Sequence, residues 1–158
     1  MSRARSSSYV LPRENLFVIM KFFNELRQVC IPIQTKPHQF NRGDYLSFSC
    51  WVVPSGLLRQ LVTIKFRKND LDSPIVTTEI STKSPHRYSN GSLCMWYPYD
   101  SDDLRWRWKD GGAALIAHIH AHLIREAWWV ETGEWVGDEV EHGLSIELGT
   151  QLESEEKK

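Results

Sequence analysis

The stretch 85–94, Pro-His-Arg-Tyr-Ser-Asn-Gly-Ser-Leu-Cys, gathers the residue types that could do chemistry. It sets Cys94 shortly after an Asn90-Gly91 pair, with His86 eight residues upstream of the thiol. A free thiol titrates near pH ~8.5, so a fraction is nucleophilic thiolate at neutral pH without help. Asn-Gly accommodates the positive φ of a tight turn and can hold a thiol at a surface groove instead of inside a core. The Asn90 side-chain amide, or backbone N–H groups of the turn, would stabilise an oxyanion during acyl transfer. A plainer reading fits the same residues: Cys94 as a small buried residue on a short strand running into Met95 and Trp96, with His86 buttressing the loop through a hydrogen bond.

Other groups compete for attention. Asp100, Asp102 and Asp103 follow the thiol closely, as a solvated cluster or as acids serving it. Trp106 and Trp108 alternate with Arg105 and Arg107. That pattern suits a stacking platform or a protein-binding surface, and equally an indole plugging the core while the arginines face water. His118, His120 and His122 resemble a metal cluster, but on a helix only His118 and His122 share a face and no third ligand is evident. No metal site is expected. Cys50 falls on the apolar face of a strand and Cys30 between helix and strand, both read as structural. Trp128, Trp129 and Trp135 read as packing between the last helix and the sheet.

The elements that must position these residues follow from hydrophobic period. Leu16, Ile19, Met20, Phe23 and Leu26 recur at helical steps and predict a helix over 15–28, with Phe17 and Phe22 partly off its stripe. Residues 45–52, 62–67 and 75–80 alternate as strands, and a shorter strand around 29–34 is interrupted by Pro32. Short turns between successive strands predict an antiparallel meander, not βαβ units. The stretch 81–109 is irregular, and a loop that long is usually functional. Asp110 is the expected N-cap of a second helix with the stripe Leu115, Ile116, Ile119, Leu123 and Ala127, ended by Gly133. The segment 132–143 reads as an ordered loop.

Composition bounds the rest. With 158 residues, 41% hydrophobic and 25% charged, the chain fits one globular domain. Nineteen basic against 20 acidic residues leave a net charge of −1, which argues against nucleic-acid binding by bulk charge. The longest apolar run, 16–20, is far too short to cross a bilayer. Three widely spaced cysteines favour a reducing, cytoplasmic setting over a disulfide framework. Residues 1–11 read as a disordered basic tail, 12–148 as the domain, and 149–158 as a charged tail.

The segment around Cys94 resembles the active-site segment of ubiquitin-conjugating enzymes, whose pattern is His-Pro-Asn, a gap, then Gly, one residue, an aliphatic residue and Cys. Gly91, Leu93 and Cys94 keep those offsets, although the His-Pro-Asn tripeptide is absent and Arg87 follows His86. The order of elements agrees over about residues 12–143. The chain is most similar to the bacterial branch found beside cGAS-like nucleotidyltransferases in antiphage (CBASS) operons, which shares stretches like 86–94, a Trp-rich segment and Gly133-Glu134-Trp135-Val136-Gly137 with a later His142. The resemblance implies an α+β fold of the ubiquitin-conjugating (UBC) type: an N-terminal helix, a roughly four-stranded antiparallel meander, an active-site loop and a C-terminal helix. It implies that Cys94 takes a protein C-terminus as a thioester and passes it to an amine, with Asn90 the leading oxyanion stabiliser and His86 beside it. Asp100, Asp102 and Asp103 would orient an incoming lysine, and Trp106 and Trp108 would contact the partner. That partner would be a cGAS-like nucleotidyltransferase or another protein tail, and no cofactor is called for. No Gly-rich ATP-binding segment is present, so an acyl-adenylate would be made elsewhere. The alternative is a non-catalytic binding module using the Trp/Arg surface.

Overall fold

The computed structural model describes residues 13–33, 45–67, 70–97 and 99–137. The expected tails 1–11 and 149–158, the stretch 138–148 and His142 lie outside the described residues. Helix α1 (Arg13–Val29) buries Ile19, Phe22, Phe23 and Leu26. Local period alone places Met20 on the inner stripe and Phe22 beside it, whereas Met20 is 49% exposed and Phe22 only 3%. The reason is long-range. Phe22 stacks on Trp108 with centroids 4.1 Å apart and meets Phe66 edge-on at 5.4 Å, partners that one helix's spacing cannot reveal.

Strands β1 (Ile31–Pro32), β2 (Tyr45–Val52), β3 (Gln60–Arg67) and β4 (Asp70–Thr78) form one antiparallel sheet in that order. The register pairs Phe48 with Ile64 and Cys50 with Val62, so Leu46, Phe48, Cys50 and Val52 share a buried face with Val62, Ile64, Phe66 and Val76. Burial of each such side chain contributes roughly 1.5–3 kcal/mol. Pro32, which has no N–H to donate, sits on the edge strand β1.

A 3₁₀ turn (Trp108–Asp110) leads into helix α2 (Gly111–Thr132). Asp110 does not cap α2 as expected: its backbone is helical and its Oδ2 accepts the Arg107 N–H at 2.8 Å, closing the turn instead. The amide at the start of α2 is served from across the interface, Gly112 N–H donating to Glu25 Oε2 at 2.9 Å. A Cβ at Gly112 would lie 2.9 Å from the Phe22 carbonyl oxygen, so glycine permits the helix contact. Gly133, at φ +77°, ends α2 with its N–H on the Trp129 carbonyl. Leu115, Ile116, Ile119 and Leu123 complete the core, and Trp106, 1% exposed, plugs it between helices and sheet while donating Nε1–H to the Gly111 carbonyl.

Candidate active site

The segment between β4 and the 3₁₀ turn folds back on itself around Asn90-Gly91. Tyr88 N–H donates to the Ser92 carbonyl at 2.9 Å, Cys94 N–H to the His86 carbonyl at 2.9 Å, and Gly91 N–H to the Tyr88 carbonyl at 2.8 Å. Leu93 N–H donates to the Val76 carbonyl at 2.8 Å, docking this hairpin on β4. Gly91 takes φ +82°, the left-handed conformation that the Asn-Gly pair predicts. Asn90 Oδ1 accepts both the Ser92 N–H (3.0 Å) and the Ser92 hydroxyl (2.6 Å). The backbone N–H groups of residues 91–94 are therefore all spent inside the fold.

The hairpin is pinned to α2 by a buried ion pair. Arg87 Nε and Nη2 donate to Glu126 Oε1 and Oε2, each at 2.7 Å, with side chains 4% and 5% exposed. Arg87 Nη1 also donates to the Gly91 carbonyl at 3.2 Å. Burial alone would raise the Glu126 pKa, but the Arg87 hydrogen bonds and charge outweigh it and hold the carboxyl below its usual range.

Cys94 lines a 640 Å³ cavity between this segment and α2. Its Sγ–H points at the Trp96 carbonyl, 3.8 Å away. Burial first, and then the neighbouring Cys94 thiol, push the pKa of the Tyr88 hydroxyl well up, keeping it a neutral donor. Beside Cys94 the near wall carries Trp96, Tyr97, Asp100 and Leu104. The far wall is one face of α2, where Ala114, Ala117 and Ala121 leave room between His118, His122 and Arg125. Trp135 stacks on His86 at 3.9 Å and meets His122 edge-on at 5.4 Å, so it belongs to the site and not to helix–sheet packing as its sequence position implied. Trp128 also departs from that reading, since it is half exposed.

Two of the cavity imidazoles, His118 and His122, are held below the usual histidine range. Burial pushes His122 down to about 4, with Glu126 opposing and the charges of Arg87, His86 and Arg125 assisting. Burial likewise lowers His118, which meets Trp96 edge-on at 5.5 Å. His122 is 3% exposed, and its Nε2 has no hydrogen-bond partner among the described residues.

The residues expected at the site are only partly brought together. Cys94, His86 and Asp100 line the cavity, Asp100 also accepting the Tyr97 N–H at 3.0 Å. Asn90 stands outside it, its side-chain oxygen turned to Ser92. Asp102 is exposed and paired with Arg105 (3.2 Å) and Arg107 (2.8 Å). Asp103 is exposed, its carboxyl held below the usual range by the Ser101 hydroxyl. Trp106 is buried in the core, and Trp108 lays one face on Phe22 while its backbone N–H donates to Asp72 Oδ1 at 2.8 Å. The Trp/Arg alternation thus forms no open stacking platform: period two aims both indoles inward at α1 and leaves the arginines to Asp102. Among the described residues no three His, Cys, Asp or Glu side chains converge as metal ligands.

Tyr88, the Arg87–Glu126 pair and the α2 face went unread in the sequence. Glu126 carried a signal, lying three residues after Leu123 and seven after Ile119 on the buried stripe. An acid at such a position demands a cationic partner.

A family model described as Type II CBASS E2 protein matches residues 28–143. That span contains the sheet, the hairpin and α2. No curated protein and no solved structure matches the chain.

Proposed function

The chain belongs to the Type II CBASS E2 proteins, and from that premise we propose that Cys94 is a thioester acyl carrier that conjugates the C-terminus of a partner protein to an amine. The observation that carries this reading is Cys94 set at the wall of a 640 Å³ cavity. The thiolate attacks an activated carbonyl at the partner's terminus and expels its leaving group. The amine then attacks the thioester carbonyl, a C–N bond forms, and the C–S bond breaks with the sulfur recovering a proton. With the N–H groups of 91–94 engaged, the oxyanion donor assigned in this reading is the Tyr88 O–H, a neutral hydroxyl next to Cys94. Asn90 acts one step back by fixing the turn, and His86 by stacking against Trp135. Asp100, on the cavity wall, is the acid that meets the incoming amine. The chain works in the cytoplasm on a cGAS-like nucleotidyltransferase tail activated by another protein. No helix among the described residues is long and apolar enough to cross a membrane.

The test is intact mass spectrometry of the chain after co-expression with the nucleotidyltransferase of its operon. The expected result is an adduct on Cys94 that hydroxylamine or excess thiol removes. Cys94→Ala should lose the adduct, and Cys94→Ser should trap it as an ester that thiols do not cleave. A Cys94→Ala chain that still supports conjugation would refute the proposal.

A further inference from the structure

We propose that Arg125 selects the protein tail that Cys94 accepts, by pairing with an acidic side chain that the tail carries within a few residues of its C-terminus. The inference rests on the acyl-carrier reading and adds the chemistry by which one tail is told from another. Its starting point is an unengaged charge at the cavity wall. Arg125 follows His118 and His122 along α2 at helical steps, which places all three on the side that lines the cavity. The arginines nearest the Cys94 segment in sequence are committed, Arg87 to Glu126 and both Arg105 and Arg107 to Asp102. Glu126, next to Arg125 on α2, gives both carboxylate oxygens to Arg87. Among the described residues no carboxylate pairs with Arg125.

The surroundings specify what the guanidinium is presented for. The chain after α2 passes against it: a Cβ at Gly137 would lie 3.4 Å from Arg125 Cζ and 3.5 Å from Nε, so glycine permits the close approach. His118 and His122 are held below the usual histidine range, which leaves Arg125 as the standing cation on the α2 wall. A guanidinium offers N–H donors in a rigid fork and no acceptor, so it calls for a planar anion, and a carboxylate fits it with two hydrogen bonds. The terminal carboxyl of the tail is consumed in the thioester, so the carboxylate has to come from a side chain. Asp100 on the near wall repels that side chain and turns it towards α2. The same Arg125 charge works against a tail with lysine or arginine at that position, so selection runs in both directions.

The test loads Cys94 from benzyl thioesters of acetylated tetrapeptides ending in glycine. Glu, Gln or Lys stands second, third or fourth from the C-terminus, with alanine elsewhere. The Cys94 thiolate adds to the thioester carbonyl, the bond to the benzyl sulfur breaks, and benzyl thiolate leaves and takes up a proton. That leaving group carries no other charge, so only the peptide side chain competes for Arg125. Loading rates are read by intact mass spectrometry. At the position that faces Arg125, Glu should load about five-fold faster than Gln, the scale of a partly exposed ion pair, and Lys more slowly than Gln. Arg125→Gln should bring the Glu-to-Gln ratio to unity, Arg125→Glu should turn the preference to Lys, and molar salt should shrink it in the wild type. Arg125 is exposed, so these changes leave the core packing in place. A Glu-to-Gln ratio of unity at all three positions would overturn the proposal, as would a preference for Glu that survives in Arg125→Glu. The two readings fail differently. If Cys94 loads every peptide alike, the acid site falls and the carrier stands. If no thioester loads Cys94, the acyl-carrier reading falls, and the corresponding peptide amides decide the acid site. A shift of the Trp135 indole N–H resonance with the Glu amide and not the Gln amide, lost in Arg125→Gln, upholds it; equal shifts refute it.

Discussion

Glu126→Gln is the most exacting perturbation of this structure. It keeps the shape of the side chain, removes its charge, and leaves Arg87 buried at 4% exposure without a counter-ion. Breaking one partner out of a buried, bidentate pair costs about 3–5 kcal/mol, because the remaining charge is uncompensated. In a chain of this length each kcal/mol moves the melting temperature by about 2–4 °C, so the variant should melt roughly 10 °C lower. Replacing both partners, Arg87→Met with Glu126→Leu, should restore most of the loss, because a buried pair and an apolar pair of similar volume are nearly equivalent. A residual deficit of about 1 kcal/mol is expected from the Gly91 carbonyl, which loses the Arg87 Nη1–H. Thermal and urea unfolding at pH 7 measure both quantities. The hairpin supplies a local readout, since Cys94 alkylation should accelerate in Glu126→Gln before global unfolding sets in. The sign with pH is fixed as well: a carboxyl whose folded pKa is depressed stabilises the fold above its ordinary value and stops doing so as pH falls through the folded pKa. If Glu126→Gln unfolds within 1 kcal/mol of the wild type, the pair is not what anchors the hairpin.

Three further outcomes follow from the geometry. His122, pushed down to about 4, leaves the unfolded chain to bind the proton first. Stability should therefore fall as pH drops from about 6.5 towards 4, by on the order of 3 kcal/mol, and His122→Leu should flatten that slope in urea titrations. Gly112→Ala drives a Cβ to 2.9 Å from the Phe22 carbonyl oxygen and should cost about 1–3 kcal/mol by parting α1 from α2; a melt indistinguishable from wild type would contradict the close contact. Asn90→Asp keeps the oxygen that accepts from Ser92 and removes the amide donor, so Cys94 acyl transfer should stay within about two-fold of wild type, whereas Tyr88→Phe should slow it about ten-fold. The reverse order of effects would return the oxyanion role to Asn90.

What the sequence disclosed was whatever repeats along a single element. The alternation through 45–52 and 62–67 gave the buried sheet face, and the α2 stripe from Leu115 to Leu123 gave the core side of that helix. The Asn90-Gly91 turn was legible because positive φ at Gly91 is a local demand. Phe22 and Met20 exchanged places because their burial is set by Trp108 and Phe66, far off in sequence. The cap of α2 moved from Asp110 to Glu25 for the same kind of reason, a helix contact that no local motif encodes. The cavity was hidden in principle: alanines, histidines and an arginine on α2 acquire meaning only when the Cys94 segment lies opposite.

The absence of proline after His86 can be read in the same physical terms. In the His-Pro-Asn pattern a proline stiffens the segment covalently, by fixing φ and removing an N–H. Here Arg87 occupies that position, and its own N–H is used on the Ser84 carbonyl at 3.3 Å. Its side chain crosses to Glu126 and returns a third hydrogen bond to Gly91, tying both strands of the hairpin to α2. Rigidity that proline would impose within one residue is supplied by a contact spanning 39 positions. The same contact sets the height of the Cys94 segment over the α2 face, because Glu126 is one helical turn from His122. Scaffold and cavity are therefore coupled through a single helix: a change that loosens the pair should widen the cavity and disturb Cys94 together, while one confined to the alanine face should disturb the cavity alone.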